Sequence, residues 1–336
     1  MSEMYMPPFT VSSAILSLVA DISTLLGRLS VLDDAPKNIR LRRINRIRTI
    51  QGSLAIEGNT LTEEQITAIL EGKRVIAPPR EIQEVRNAIK AYDVVDKWVP
   101  YSQDNLLSAH SMLMSALLDN PGTFRTGGVG VMAGRDVVHM APPANRVPFL
   151  MNDLLHWLKT TDVHPLVASS VFHYEFEFIH PFEDGNGRMG RLWQTLILGK
   201  WNQLFFSIPV ESLVHEHQAE YYAALNKSTE KAESSVFIEF MLKMIHHAIL
   251  SPPTPEVTPE VTPEVKKLLL AISGEMTRKQ IQEKLGLHDE KHFREAYQQP
   301  AVALGLLEMT IADKPNSRLQ KYRITQRGML LIKELL

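Results

Sequence analysis

The residues with the most chemistry in this 336-residue chain lie in one stretch: His180-Pro181-Phe182-Glu183-Asp184-Gly185-Asn186-Gly187-Arg188-Met189-Gly190-Arg191. His180 is an imidazole that can exchange a proton near neutral pH. Asp184 offers a carboxylate to a hard divalent cation. Gly185-Asn186-Gly187 is a turn whose backbone can take positive φ and aim its N–H groups into one concavity. The apolar run Leu192 to Leu198 reads as the helix this turn opens into. A glycine-rich turn at a helix N-terminus is a ready anion site. Arg188 and Arg191 are three apart, so both can face the same anion from the first helical turn. Singly, each piece fits an ordinary surface turn. In this order and spacing they form a base, a metal ligand, a phosphate cradle and two guanidinium clamps.

Such a stretch needs rigid elements on both sides. Pro165 to Ile179 reads as a helix leading directly into His180, and the Leu192–Leu198 helix leaves it. The polar residues His173, Glu175 and Glu177 of the incoming helix are spaced by two, so they do not share a helix face and do not read as a metal site. Upstream, Ile15, Leu16, Val19, Ile22, Leu25 and Leu26 recur at helical spacing. Asn38 to Ile50 interleaves Arg40, Arg42, Arg43, Arg46 and Arg48 with Ile and Leu, an amphipathic helix whose basic face is read as solvated rather than lipid- or nucleic-acid-binding. In Ser53-Leu54-Ala55-Ile56-Glu57-Gly58-Asn59, Ser53 and Glu57 share a face and Gly58-Asn59 stops the helix. Thr60 and Glu63 have capping-box spacing for the next helix. Further helices are expected over Glu81–Lys97, Asn105–Leu118, Val147–Leu158 and Gln218–Leu225, the last holding Tyr221-Tyr222. Thr123 to Pro143 is rich in Gly and Val and suggests a hairpin turning near Ala133-Gly134-Arg135-Asp136.

Composition bounds the reading. The chain is 44% hydrophobic and 22% charged, which places it among soluble globular proteins of two or three domains. The formal net charge of −2 gives no overall bias toward nucleic acid. With no cysteine, disulfides, thiol nucleophiles and Cys-bound zinc are excluded. No apolar run is long enough for a membrane span and no signal pattern opens the chain, so a cytoplasmic protein with no membrane partner is expected. Val-Thr-Pro-Glu occurs twice in the proline-rich stretch from Ser251, which reads as an extended linker. Beyond it, three helices (Val265–Ile272, Thr277–Leu285, His292–Gly305) and a hairpin (Leu306–Ile311 with Gln320–Ile324) have the pattern of a winged helix. Residues 264–336 carry 13 Lys and Arg against 9 Asp and Glu, which leaves DNA binding open beside protein interaction. The expected fold class is mainly α with a short β-hairpin, plus a small C-terminal α+β domain.

The central stretch resembles the signature HPFxDGNGRxxR of the Fic (filamentation induced by cAMP) family, with every fixed position present. The resemblance covers roughly residues 50 to 250. It implies a Fic-fold helical core and divides the chain into 1–110, carrying an inhibitory helix, 111–250, the catalytic core, 251–263, the linker, and 264–336. It implies a nucleotidyltransferase that moves AMP from ATP to a Ser, Thr or Tyr hydroxyl of a target protein and of itself. His180 would be the catalytic base. Asp184 would hold Mg²⁺, and Gly185, Asn186, Gly187, Arg188, Met189, Gly190 and Arg191 would line the phosphates. Ser53 to Gly58 resembles the family's inhibitory motif [ST]xxxE[GN], in which Glu57 pairs with Arg191 and keeps the γ-phosphate from seating productively. The hairpin resembles the flap, at about 130–140, that docks a target segment, with nucleotide contacts at Val137, Val138, His139 and Met140. Tyr221 and Tyr222 would lie against base and ribose. A homodimer also remains open. Two alternatives stand: hydrolytic removal of AMP with Glu57 orienting water, and a nucleotide-sensing transcriptional regulator.

Overall fold

Backbone conformation at two residues, one on either side of a short loop, decides where the two central helices stop and start. The computed structural model describes residues 5–31, 35–128, 130–133, 136–250, 262–287, 289–310, 320–325, 328–329 and 332. The chain divides into two compact units, Met1–Pro253 and Thr254–Leu336. In the first, α1 (Ser13–Val31), α2 (Ala35–Ile56), α3 (Glu63–Leu70), α4 (Pro79–Val94) and α5 (Gln103–Leu113) precede a hairpin of β1 (Gly130–Ala133) and β2 (Asp136–Met140). Then follow α6 (Val147–Thr160), α7 (Pro165–Ile179), α8 (Asn186–Trp201), α9 (Val210–Glu216), α10 (Gln218–Lys231) and α11 (Ser235–Leu250). The fold is mainly α, as the periodicity predicts.

α7 is the interior helix. Pro165 presets φ in its first turn, and the His164 ring accepts a hydrogen bond from the Leu166 N–H. Leu166, Val167, Val171, Phe172, Tyr174 and Phe176 are all buried, so the helix is covered all round. It ends at His180, which is left-handed at φ 50°. α8 is capped by Gly185, also left-handed at φ 84°. A side chain at Gly185 would be strained there and would set its Cβ 2.7 Å from Met114 Sδ. The six residues from His180 to Gly185 are thus pinched between two core helices. α8 in turn buries Leu192, Trp193, Leu196 and Leu198, with Trp193 stacked on Trp98 and its indole N–H donated to Pro100 O.

The N-terminal helices share this core: Ile15, Ile22, Ile47, Ile50 and Leu54 belong to the same cluster as the residues of α7 and α8. Arg46 pairs with Asp93 at 2.5 Å, Arg43 with Glu71 at 2.9 Å and Arg48 with Glu63 at 3.6 Å. Arg43, Arg46 and Arg48 of this basic stretch are therefore engaged by acidic residues of their own unit. Several boundaries differ from the sequence expectation, α10 for one running on to Lys231, and two of them have a direct cause. The capping box joins Thr62 to Gln65, two residues later than the Thr60–Glu63 pair, because Thr60 gives both its N–H and hydroxyl to Glu81. α5 stops at Leu113 rather than Leu118: Asn87 Nδ2 takes up the Leu113 and Ser115 carbonyls, and Ala116 turns left-handed at φ 59°.

β1 and β2 pair antiparallel, Gly130 with Met140 and Ala133 with Asp136, with an irregularity between Val131 and Met132. Gly134 and Arg135, expected at the turn, lie outside the described residues. The second unit holds α12 (Pro263–Ala271), β3 (Met276–Thr277), α13 (Arg278–Leu285), a helical run over 290–303, β4 (Leu307–Met309) and β5 (Lys321–Ile324). Its sheet has the order β3-β5-β4, all antiparallel. β3, a two-residue strand, is invisible to a period-2 reading. A separate core of Leu268, Leu269, Ile281, Phe293, Leu307 and Tyr322 holds this unit. Residues 251–261 of the expected linker and 311–319, including the basic loop Asp313 to Arg318, lie outside the described residues. Among the described residues, no helix is long and apolar enough to cross a membrane.

α2 and α9 touch backbone to backbone at Gly52, where a Cβ would stand 2.6 Å from Ser212 N and 2.7 Å from the Glu211 carbonyl carbon. Neither neighbour is a flexible side chain that could yield. Gly52→Ala should therefore destabilise the first unit by about 1–3 kcal/mol. All four tryptophans lie in that unit, so urea denaturation followed by tryptophan fluorescence reads the loss. An unchanged midpoint would show that α2 can move away from α9 at little cost.

Candidate active site

The loop from His180 to Gly185 is held by side chains from outside the signature. Arg125, buried between the hairpin and α7, donates from Nε to His180 O at 2.7 Å and from Nη2 to Ile179 O at 3.2 Å and Pro142 O at 2.5 Å. Its own N–H reaches Pro181 O at 2.9 Å, and Nη1 reaches Gly127 O. A left-handed non-glycine residue persists only where its surroundings over-determine it. Arg125 does this for His180 and leaves the imidazole half-buried at the end of α7.

His110 of α5 holds the other end. Its ring lies flat on Phe182, with centroids 3.7 Å apart and planes 4° from parallel. The Gly122 N–H donates to Nδ1 at 2.8 Å, so the proton sits on Nε2, which donates to Asp184 O at 3.0 Å. Burial pushes the His110 pKa down to about 4, consistent with a neutral ring that needs one lone pair and one proton. Asn186 closes the loop from within: its Nδ2 donates to Phe182 O and its Oδ1 accepts from Phe182 N–H, both at 2.9 Å. The expected role of this amide is to cradle phosphate; the structure spends both its ends on the loop backbone.

The charged residues then meet at the N-terminus of α8. Arg191 is buried and donates to Ser53 Oγ at 3.2 Å, Ser53 O at 3.0 Å and Glu57 Oε1 at 2.6 Å. Burial acts to lower the pKa of Arg191, but the Glu57 carboxylate outweighs it and holds the guanidinium charged. Glu57 reaches this point because Gly187 has no Cβ; one would collide with Glu57 Oε1. A carboxylate just past the C-terminus of α2 sits badly with its own helix dipole, and well with the N-terminus of α8. Glu57 thus occupies the place where an anion is favoured. On the opposite side, Arg188 Nη2 holds Asp184 Oδ1 at 3.1 Å and Nη1 lies 3.4 Å from Glu84 Oε1. Arg80 Nη2 holds Asp184 Oδ2 at 3.3 Å.

The remaining predicted site residues separate. Tyr221, expected against a nucleotide, is a core residue here, 1% exposed, and donates its hydroxyl to His173 Nε2 at 3.1 Å. Tyr222 is 44% exposed and meets Tyr221 edge-on. Met189 is fully buried, and a Cβ on Gly190 would stand 2.8 Å from His173 Cδ2, so both serve α7–α8 packing. Glu177, next to Gly190, is pushed up to about 7 by burial, with Arg191 opposing. Val137, Val138, His139 and Met140 form β2. Among the described residues no group of three or more His, Asp or Glu gathers as a metal site. Asp184 alone fits a cation that completes its shell with phosphate and water oxygens, the usual manner of Mg²⁺. Arg125, His110, Arg80 and Glu84 escape sequence reasoning. Arg80 and Glu84 have the spacing of a helix pair, but nothing local says they face α8.

Known proteins resemble this chain in sequence and fold. Residues 100–198 match the Fic/DOC family and residues 263–325 match the Fic-like C-terminal domain. A solved Fic family protein from Desulfovibrio desulfuricans G20 is 50% identical, with a TM-score of 0.73, covering 96% of this chain and 99% of that one. Protein adenylyltransferase fic-1 of Caenorhabditis elegans is 31% identical over 201 residues, 56% of this chain and 37% of that protein. Protein adenylyltransferase Fic of Drosophila mojavensis is 28% identical over 249 residues, 66% of this chain and 47% of that protein. The chain thus spans less than half the length of these two curated relatives.

His110→Ala should remove the Phe182 stack and leave Gly122 N–H and Asp184 O without their partner. The expected loss is about 2–4 kcal/mol, read as a lower urea midpoint of tryptophan fluorescence. A loss below ~1 kcal/mol would show that the loop holds its shape without the ring.

Proposed function

The chain belongs to the Fic family, and on that premise we propose that it is a protein adenylyltransferase restrained by Glu57. The observation that carries the reading is the Glu57 carboxylate lodged at the N-terminus of α8 against Arg191 and Gly187. A site that draws in a carboxylate by helix dipole, glycine cradle and guanidinium will draw in a phosphate by the same physics. The nucleotidyl-transfer activity of the named relatives is the second support.

ATP would lay its phosphates along Gly185 to Gly187, with Arg188 and Arg191 as clamps. A divalent cation, when bound, would neutralise charge shared between α- and β-phosphates, and Asp184 is the residue that would hold it. His180 removes the proton from a target hydroxyl. The hydroxyl oxygen bonds to the α-phosphorus as the bond from phosphorus to the β-bridging oxygen breaks, and pyrophosphate leaves. In-line geometry is the larger contribution, and the loop clamped by Arg125 and His110 supplies it. The two-stranded hairpin beside this loop offers strand edges to which a target segment can add, placing its hydroxyl near His180.

Glu57 restrains the reaction by competition. Arg191 cannot serve the carboxylate and a γ-phosphate together, and a carboxylate beside triphosphate oxygens repels them. Removal of AMP from a modified protein is the second reading. It is favoured by the 32% exposure of the Glu57 side chain, which leaves it accessible to a water. For the second unit, the order helix, short strand, helix, helical run and hairpin supports a winged-helix reading that binds DNA or protein.

Glu57→Gly should raise self-labelling with α-labelled ATP roughly ten- to a hundredfold, the equivalent of about 1.4–3 kcal/mol. Arg191→Ala in that background should cancel most of the gain. A folded Glu57→Gly chain no faster than the parent would remove the restraint from the reading, and loss of an AMP-removing activity would favour the hydrolase. His180→Ala in the Glu57→Gly background should cut transfer by about 10²–10⁴ while ATP still binds. Equal labelling with and without the imidazole would exclude His180 as the base.

A further inference from the structure

Arg80 lies outside the signature and outside the inhibitory motif, yet it touches the site. It follows Pro79 in the first turn of α4 and precedes Glu84 by one helical turn. Its Nη2 is 3.3 Å from Asp184 Oδ2 and its Nε is 3.6 Å from Glu84 Oε1. Glu84 is itself anchored, accepting from Asn59 Nδ2 at 2.8 Å and standing 3.4 Å from Arg188 Nη1. Arg80 therefore spans two carboxylates, Glu84 with its side chain 13% exposed and Asp184, while its own side chain is 62% exposed.

We propose that Arg80 is a third guanidinium of the polyphosphate site, supplied by α4, which grips the phosphates beyond the α-phosphate when Asp184 turns to the cation. The inference rests on the adenylyl-transfer reading. Both oxygens of Asp184 are taken by guanidiniums, Oδ1 by Arg188 and Oδ2 by Arg80. A divalent cation on this carboxylate repels both, which leaves the single Glu84 carboxylate shared between two guanidiniums and a place for a further anion. A triphosphate is that anion, since it brings more negative charge than one divalent cation cancels. Arg188 is already assigned to it as a clamp. Arg80, on the same carboxylate from the open side, is displaced toward the same phosphates.

Charge bookkeeping points the same way. Around the N-terminus of α8, Arg80, Arg188 and Arg191 face Glu57, Glu84 and Asp184. Each guanidinium holds a carboxylate in the ligand-free chain. Glu57 marks one end of the anion groove at Gly187, and Asp184 marks the other at Gly185, whose N–H it accepts at 2.6 Å. Arg191 serves the Glu57 end and Arg80 the Asp184 end. An exposed ion pair contributes little to folding and breaks readily, so Arg80 can exchange its partner at small cost. A planar two-pronged donor suits a phosphate better than an ammonium does.

The test is isothermal titration of the full chain carrying Glu57→Gly, with and without Arg80→Ala, using ATP, ADP and AMP in the presence of Mg²⁺. Arg80→Ala should weaken ATP and ADP by about tenfold, the loss of one charge-assisted contact. AMP affinity and the thermal midpoint of the ligand-free chain should not change, and Arg80→Lys should recover part of the loss. Unchanged ATP affinity overturns the proposal, as does tighter binding, which would make Arg80 a competitor of the cation. An equal loss for AMP overturns it too. Absence of ATP binding by the Glu57→Gly parent would overturn the adenylyl-transfer reading itself, and binding by the parent alone leaves Arg80 to be judged on its own variants.

Discussion

The ion pair between Glu57 and Arg191 organises the site. Its 2.6 Å contact joins the C-terminal end of α2 to the N-terminal end of α8, and its guanidinium is buried. Burying a charge is costly unless it is paired and hydrogen-bonded. Arg191 is given three acceptors, two on Ser53 and one on Glu57. On the proposed reading, the same requirement would let the pair act as a switch. Whatever displaces Glu57 must supply an acceptor of equal charge, and a phosphate is the natural substitute. α2 is held by Gly52 against α9, and the turn that follows it by Asn59 and Thr60 against α4. Relief of the pair is therefore expected of the Glu57 side chain rather than of the helix.

The second constraint is the loop from His180 to Gly185. It carries the candidate reacting groups, His180 and Asp184, on six residues with no regular hydrogen bonding of their own. Its carbonyls are taken up from outside, those of His180 and Pro181 by Arg125, which also holds the Ile179 carbonyl at the end of α7, and that of Asp184 by His110. Phe182 is buried against the His110 ring, and Asn186 closes the turn. Buried polar networks of this kind rigidify when every member is satisfied. In this chain the outcome is an imidazole and a carboxylate held on one short arc beside a helix N-terminus, so that positioning is settled before a ligand arrives.

Charge is balanced locally rather than across the chain. Three guanidiniums from α4 and α8 meet three carboxylates from α2, α4 and the loop. Without a ligand the arrangement is close to neutral, so long-range attraction for a polyanion is weak. On the proposed reading, exchange of partners, guanidinium from carboxylate to phosphate and Asp184 from guanidinium to cation, would govern binding.

Much of this protein is legible in its sequence, because local physics decides it. The limits of α7 follow from Pro165 and from the start of the signature. The turn at Gly185 follows from the need for positive φ, and the N-terminal anion site from glycines before an apolar helical run. The placing of Ser53 and Glu57 on one face is pure helical spacing. What the sequence left open was decided by contacts between segments far apart in the chain. Tyr221 and Tyr222 are adjacent and alike, yet packing turns one onto His173 and leaves the other in solvent. Asn186 reads as a phosphate ligand but is drawn to Phe182, because a buried loop backbone must be satisfied first. Arg125 and His110 carry no periodic signal, and Glu84 carries only its one-turn spacing from Arg80, which says nothing of α8. Their partners lie 55, 74 and 104 positions along the chain, and only the folded core brings those distances to hydrogen-bond length.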